Sequence, residues 1–95
     1  MTTKTPATTK APDARLRKLG MRSWRRGIKE MDIILGHFSD DRLADLDPDT
    51  LDLYDALLSE NDQDLYQWVS GQAAPPERFA DLVGDIADHA VTRTR

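Results

Sequence analysis

The residues best suited to recognition chemistry lie in one short polar segment. Arg26 offers a planar fork of donors that fits a carboxylate or backbone oxygens, and Glu30 follows four residues later as an acceptor. Gly27 stands between them, and a glycine inside a helix costs up to about 1 kcal/mol relative to alanine, which indicates that another surface approaches its backbone closely. These three residues predict the binding of a partner.

Two questions about this segment stay open from the residues alone. An ion pair between Arg26 and Glu30 on a helix surface would contribute only about 0.3–0.5 kcal/mol, and such pairs are common without any function. The surface that approaches Gly27 belongs either to another helix of the same domain or to a foreign protein.

Other kinds of chemistry are disfavoured by composition and spacing. The chain has no cysteine, which excludes disulfides, thiolate metal sites and cysteine nucleophiles. A cluster of aspartates resembles a calcium loop, but Thr50 stands at the position of the loop glycine and Ala56 at that of the final glutamate. Glu30 and Asp32 would lie about 200° apart around a helix and could not cooperate in acid–base catalysis. We therefore expect a protein that is not an enzyme and holds no metal or cofactor of its own.

Charge is distributed very unevenly within the net value of −4. Between residues 14 and 29 there is no acidic residue, whereas between residues 40 and 88 the only bases are Arg42 and Arg78. The first of these segments contains Arg15, Arg17, Lys18, Arg22, Arg25, Arg26 and Lys29. A basic helical segment is typical of nucleic-acid binding, which is the main alternative, but the acidic remainder would repel phosphate. We expect no nucleic acid as partner.

The elements that must position this chemistry are all predicted to be helical. Residues 1–12 lack apolar anchors and are predicted to be a flexible tail. A first helix is expected from Asp13 to Leu19, ended by Gly20, and a second from Ser23, as its N-cap, to Phe38. Ser39, Asp40 and Asp41 could cap a short helical turn that follows.

The second half of the chain has clearer signals for the ends of helices. Asp47 is a predicted N-cap followed by Pro48, and Asn61 is the next N-cap, with Gly71 ending its helix. After two prolines, a final amphipathic helix reaches Ala90. The expectation is an all-α, compact five-helix bundle over residues 13–91, with a flexible C-terminus at residues 92–95.

A helical projection of residues 23–38 separates a core side from an outward side. The predicted core side comprises Trp24, Ile28, Met31, Leu35 and Phe38. The predicted partner-binding side comprises Arg26, Glu30, Ile33 and His37, with Gly27 and Arg25 beside them. Trp68 is also expected in the core, and His89 is expected as a favourable charge near the end of the last helix.

At these residues the sequence resembles a known family. Trp24-Arg25-Arg26-Gly27-Ile28-Lys29-Glu30 contains the Arg-Gly-x-x-Glu signature of the SdhE family of succinate dehydrogenase assembly factors. The later segment, with Leu57-Leu58, Asp62, Asp64-Leu65 and Trp68, is similar to the downstream helix pair of that family. The resemblance covers roughly residues 15–90.

The resemblance implies a function and a set of partners. A protein of this family binds the flavoprotein subunit of succinate dehydrogenase, and often that of fumarate reductase, and promotes covalent attachment of FAD, which the client attaches to its own histidine. Arg26, Gly27 and Glu30 are the motif positions expected at that contact. Some family members have carried an antitoxin label, which gives a second alternative as a regulatory protein.

The sequence also predicts where the protein is located and how it assembles. No apolar run is long enough to span a membrane, and no signal segment is recognised. Residues 1–12 lack the arginines of a mitochondrial targeting segment. We expect a monomer in the cytoplasm, with the mitochondrial matrix as the less favoured location.

Overall fold

The computed structural model describes residues 13–94, so the predicted tail at residues 1–12 lies outside the described part of the chain. It contains five α-helices: α1 Asp13–Ser23, α2 Lys29–Arg42, α3 Pro48–Leu57, α4 Asp62–Val69 and α5 Ala80–Thr94. Two 3₁₀ turns, Leu43–Asp45 and Glu77–Phe79, lead into the connection before α3 and into α5. No strand occurs in the described residues, and the predicted all-α fold with five helices is confirmed.

The predicted helix starts at α3 and α4 are confirmed by their capping geometry. The Asp47 side chain accepts a hydrogen bond from the backbone N–H of Thr50 at 3.0 Å, and Pro48 occupies the first helical position. The Asn61 side chain accepts from the N–H of Gln63 at 2.8 Å. Each side-chain oxygen satisfies a donor that has no partner inside the helix.

The predicted boundary between the first two helices is wrong. α1 continues through Gly20 to Ser23, and the N–H of Trp24 still donates to the carbonyl oxygen of Gly20 at 3.1 Å. Ser23 therefore ends α1 and does not cap α2, which begins at Lys29. Residues 24–28 form a non-helical connection, and we refer to them as the α1–α2 connection.

Two other helices are longer than predicted. α2 continues through Ser39 to Arg42, and the Ser39 hydroxyl donates to the carbonyl oxygen of Gly36 at 2.9 Å inside the helix, where a capping serine was expected. α5 extends to Thr94, beyond Val91, where we placed the end of the domain. No described helix is both long enough and apolar enough to cross a membrane.

The core is formed by one apolar face from each helix. Met31, Leu35 and Phe38 of α2 are fully buried, as predicted. The other buried apolar side chains are Leu19, Leu43, Leu51, Tyr54, Leu57, Leu58, Leu65, Phe79, Leu82, Val83 and Ile86. Trp68 packs against this core from its margin, with its ring 6.1 Å from that of Phe79. Trp24, expected in the core, is 38% exposed, so that prediction is wrong.

Ion pairs hold the outer surfaces of the helices together. Arg15 pairs with Asp52 at 2.7 Å and Arg22 pairs with Asp55, which ties the basic helix α1 to the acidic helix α3. On another side of the bundle, Asp41 of α2 pairs with His89 and Arg93 of α5. His89 therefore joins α5 to α2 through the carboxylate of Asp41. Its ring also lies edge-on to that of Phe38.

A polar pair is enclosed within the core where α1 meets α3. The Tyr54 hydroxyl lies 2.6 Å from the Ser23 hydroxyl, which in turn donates to the carbonyl oxygen of Leu19 at 2.8 Å. Both side chains are fully buried. Burial raises the pKa of Tyr54 to about 12, because the phenolate would be poorly solvated there.

This burial predicts a specific loss of stability at high pH. Above pH 10 the tyrosine of the unfolded chain ionises, whereas the folded Tyr54 stays neutral until about pH 12. The contribution of Tyr54 to the free energy of unfolding is therefore fully present below pH 10 and is lost between pH 10 and 12. The loss should amount to roughly 2–3 kcal/mol. Urea unfolding at several pH values should show a steeper alkaline decline for the wild type than for Tyr54→Phe.

The matched control for this measurement is Tyr66→Phe, which removes a hydroxyl outside the buried pair. It should retain the alkaline decline of the wild type. Parallel stability curves for the wild type and Tyr54→Phe across this range would contradict the prediction.

Candidate functional site

One carboxylate joins the α1–α2 connection to the start of α4. Asp62, the first residue of α4, accepts from Arg26 Nε at 2.7 Å through Oδ1, and the Arg26 Nη2 lies 2.7 Å from the same oxygen. Its second oxygen, Oδ2, accepts from the backbone N–H of Gly27 at 2.6 Å. We call Arg26, Gly27 and Asp62 the Asp62 clamp.

The clamp is largely withdrawn from solvent. The side chain of Arg26 is only 9% exposed and that of Asp62 is 19% exposed. Arg26 Nη1 donates to the carbonyl oxygen of Arg22 at 3.4 Å, and Nη2, besides its contact with Asp62, donates to the carbonyl oxygen of Glu60 at 3.4 Å. The backbone N–H of Arg26 donates to the Asp32 carboxylate at 3.2 Å. The connection is therefore held by α1, by α2 and by the start of α4 together.

This geometry corrects the predicted outward face. Arg26 and Gly27 precede α2, so the helical projection does not apply to them, and Arg26 points into the domain. The expected ion pair with Glu30 is not formed, since Arg26 pairs with Asp62. The group that approaches Gly27 is that carboxylate, and a Cβ at Gly27 would lie 3.0 Å from Asp62 Oδ2. Of the two explanations left open for Gly27, the intramolecular one is observed.

The remaining predicted residues on α2 do share one side of the helix. Glu30 is exposed in the first turn, Ile33 is 42% exposed, and His37 is half-buried one turn further along. Within residues 13–94, Glu30 forms no ion pair. An acceptor and an apolar side chain are thus presented together on a regular helix.

Trp24 extends this surface from the connection. Its ring lies across Gly36, where a Cβ would overlap the indole atoms, and it meets the His37 ring edge-on with centroids 5.5 Å apart. The indole Nε1 donates to Asp40 Oδ1 at 3.3 Å. These contacts fix an aromatic side chain in a partly exposed position. We call Trp24, Arg25, Glu30, Ile33 and His37 the recognition surface.

Ion pairing divides the basic residues of the first segment into two groups. Of the seven bases between residues 14 and 29, Arg15, Arg22 and Arg26 pair with aspartates of α3 and α4. The other bases form no ion pair with any described residue: Arg17, Lys18, Arg25 and Lys29. The unpaired positive charge of this segment therefore includes Arg25, which belongs to the recognition surface, and Lys29, which precedes Glu30 in the sequence.

The chemistry that these groups support is protein recognition. The recognition surface combines exposed side chains of both charges with exposed apolar ones, a composition that is found in protein interfaces. In the described residues, no group of three or more histidine, cysteine, aspartate or glutamate side chains is placed to hold a metal ion.

Sequence reasoning missed the role of Asp62. Its residue type was noted in the downstream segment, but nothing local connects it with Arg26, which is 36 residues earlier. The one available signal was that a long basic run needs acidic partners when part of it is buried. Met21, 51% exposed beside Trp24, was also overlooked.

The known proteins to which this chain is similar have related descriptions. A family model described as "Flavinator of succinate dehydrogenase", Sdh5, matches residues 17–90. The mitochondrial succinate dehydrogenase assembly factor 2 of Schizosaccharomyces pombe is 39% identical over 67 residues, which cover 70% of this chain and 48% of that protein. The FAD assembly factor SdhE of Legionella pneumophila is 34% identical over 62 residues, 65% of this chain and 78% of that protein.

A fly relative has the same description as the yeast protein. The assembly factor 2 of Drosophila grimshawi is 33% identical over 78 residues, which cover 79% of this chain and 53% of that protein. The chain thus spans about half the length of these mitochondrial relatives.

The Asp62 clamp predicts a large cost when its carboxylate is removed. Asp62→Ala leaves the guanidinium of Arg26 buried without a counter-charge, which should lower the free energy of unfolding by about 3 kcal/mol. Chemical denaturation measures this value. Asp64→Ala, an exposed aspartate in the same helical turn, is the matched control and should cost only about 0.5 kcal/mol.

The same clamp predicts energetic coupling between Gly27 and Asp62. Gly27→Ala pushes the carboxylate away from its partners and should cost about 1 kcal/mol in the wild-type background. In the Asp62→Ala background the new methyl group meets no carboxylate, so the cost should nearly vanish. Equal costs of Gly27→Ala in the two backgrounds would refute the idea that this glycine is needed for the clamp.

Proposed function

The chain belongs to the Sdh5 family, whose description is flavinator of succinate dehydrogenase, and from this membership we propose that it is an assembly factor for the flavoprotein subunit of that enzyme. It binds the subunit and promotes the covalent attachment of FAD to it. In this proposal the chain is not an enzyme, because the client supplies the histidine to which the flavin becomes attached. The factor stabilises a conformation of the client that favours attachment.

The observation that carries the proposal is the recognition surface on a fixed support. Neither Glu30, an acceptor, nor Arg25, a donor, forms an ion pair with a described residue. Ile33 exposes apolar area one turn after Glu30 on the same side of α2. Their backbone is held by the Asp62 clamp and by α2. A preorganised surface loses little conformational entropy when it binds, which favours affinity.

We assign different roles to the residues of the signature. Glu30 accepts hydrogen bonds from the flavoprotein, and Arg25 donates to its carboxylates or backbone oxygens. Arg26 and Gly27 act through the clamp, which sets the positions of Arg25 and Trp24. A side chain at Gly27 would therefore harm binding by displacing the connection.

Several narrower proposals accompany this function. We propose that the free chain is a monomer, that it binds FAD only through its client, and that the related fumarate reductase flavoprotein is a second client. Sedimentation of the purified chain, titration with FAD alone and pull-down of each flavoprotein test these proposals in turn. A dimer, or micromolar binding of free FAD, would contradict them.

We also propose a bacterial-type location in the cytoplasm. The relatives include one bacterial protein and several mitochondrial ones. The support for the cytoplasm is the coverage of the bacterial relative: the match spans 78% of that protein, compared with 48% and 53% of the two mitochondrial ones. Cell fractionation checks it, and recovery of the chain from a mitochondrial matrix would overturn it.

The main prediction concerns covalent flavin in a cell that lacks this chain and any related factor. The denatured succinate dehydrogenase flavoprotein should then show little flavin fluorescence in a gel, and the wild-type chain should restore it. Glu30→Lys should restore it poorly, because it reverses the acceptor charge at the contact. Binding of the client by this variant should weaken by about tenfold.

The matched control is Glu77→Lys, which makes the same charge change at an exposed position before α5. It should restore flavin fluorescence as the wild type does, and circular dichroism should show both variants folded. Full covalent flavin in the absence of the factor would defeat the proposed function, whereas full restoration by Glu30→Lys would defeat only the role of Glu30.

A further inference from the structure

A groove lies beside the recognition surface, between α1 and the end of α2. It is open, has a volume of about 500 Å³, and has Met21 of α1 and Trp24 of the connection among its lining residues. Leu16, Leu43 and Ala44 complete the apolar part of its lining. Met21 is 51% exposed and Trp24 is 38% exposed. Large apolar side chains presented this openly on a small domain are typical of a contact surface.

Positive charge surrounds the apolar part of this groove. Arg17 and Arg25 line it, and neither forms an ion pair within residues 13–94. The lining also includes the carboxylate of Asp40, which accepts from the Trp24 indole and keeps its negative charge. A second, smaller depression shares Met21 and Arg25 with the groove and is otherwise lined by Lys18, Arg22 and Arg26. Arg17 and Arg25 outnumber this carboxylate in the groove, and Lys18, which also forms no ion pair with a described residue, adds positive charge in the neighbouring depression.

The aromatic wall of the groove is already in place before anything binds. Gly36 leaves room for the Trp24 ring, which is also fixed by the His37 ring and by the hydrogen bond to Asp40. An anchored tryptophan next to a flexible methionine combines a rigid contact with an adaptable one. This combination suits an apolar side chain inserted from another protein.

We propose that this groove binds an acidic segment of the client flavoprotein, one that places an apolar side chain between Met21 and Trp24 and carboxylates against Arg17 and Arg25. The inference rests on the proposed function for the identity of the client. It adds a second contact, on α1, to the contact made by Glu30 and Ile33. Trp24 belongs to both surfaces and joins them.

A protein segment fits this groove better than a nucleic acid does. The base of the groove is apolar, which a phosphate backbone does not fill, and the whole chain carries a net charge of −4. A second copy of this chain could also offer acidic residues, since residues 40–88 are rich in aspartate. The test below separates that occupant from the client.

The first measurement is the affinity of the purified full chain for the succinate dehydrogenase flavoprotein that lacks covalent flavin. Met21→Asp and Arg17→Glu should each weaken binding by about tenfold or more, because each places a carboxylate where the acidic segment lies. The matched controls are Val91→Asp, at an exposed apolar position of α5, and Arg78→Glu, at an exposed base outside the groove. Both should bind within about twofold of the wild type.

The second measurement identifies the charge of the occupant. In an Arg17→Lys variant, a carbodiimide should link the new amine directly to an aspartate or glutamate of the bound flavoprotein, and mass spectrometry would locate the link. Arg78→Lys should give no such link. A complex in which the amine at position 17 never links to the client would overturn the proposal.

The remaining outcomes distinguish a failure of the proposed function from a failure of the groove inference. If the wild type does not bind the flavoprotein, the proposed function fails. If the wild type binds and both groove variants bind equally well, only the groove inference fails. If sedimentation shows that the wild type self-associates and Met21→Asp makes it monomeric, the occupant is a second copy and the inference is wrong. Salt-sensitive binding of duplex DNA that Arg17→Glu abolishes would also overturn it.

Discussion

The carboxylate of Asp62 is the constraint on which the arrangement of the other functional groups depends. Arg26 is almost fully enclosed, and an enclosed guanidinium is tolerated only when a counter-charge and hydrogen-bond acceptors surround it. Asp62 supplies the charge through one oxygen and holds the backbone of Gly27 with the other. This interaction fixes the α1–α2 connection against α4, while contacts with α1 and α2 complete the placement of Trp24.

The packing of the helices explains the uneven distribution of charge along the sequence. The basic helix α1 lies against the acidic helix α3, so Arg15 and Arg22 are neutralised where the two helices meet. Electrostatic pairing of this kind contributes only modestly to stability at a surface. Its larger effect is to leave Arg17 and Arg25 as free charges beside the exposed apolar side chains. The basic helix and the connection after it thus supply internal pairing through Arg15 and Arg22 and unpaired positive charge through Arg17 and Arg25.

Two glycines permit the close contacts of this region, each for a different neighbour. Gly27 has no side chain where the Asp62 carboxylate approaches the backbone, and Gly36 has none where the Trp24 ring lies. Neither requires an unusual backbone conformation, since Gly71 is the only glycine with a positive φ among the described residues. The signature glycine is therefore needed for space beside its backbone. Family signatures of this kind can report internal packing as well as contact with a partner.

The all-α class, the apolar stripe of α2 and the capped starts of α3 and α4 could all be predicted from the amino-acid sequence. Those features depend on neighbours within about four residues, such as the bond from Thr50 to Asp47, and so are encoded locally. Glu30, Ile33 and His37 were correctly placed on one side of a helix for the same reason. The placement of Arg26 and Gly27 was wrong, because the helix predicted from Ser23 to Phe38 included both residues, whereas contact with Asp62, far along the chain, specifies a turn there. The tertiary structure alone decided which bases are paired and where the groove lies, since both depend on helices that are distant in sequence and adjacent in space.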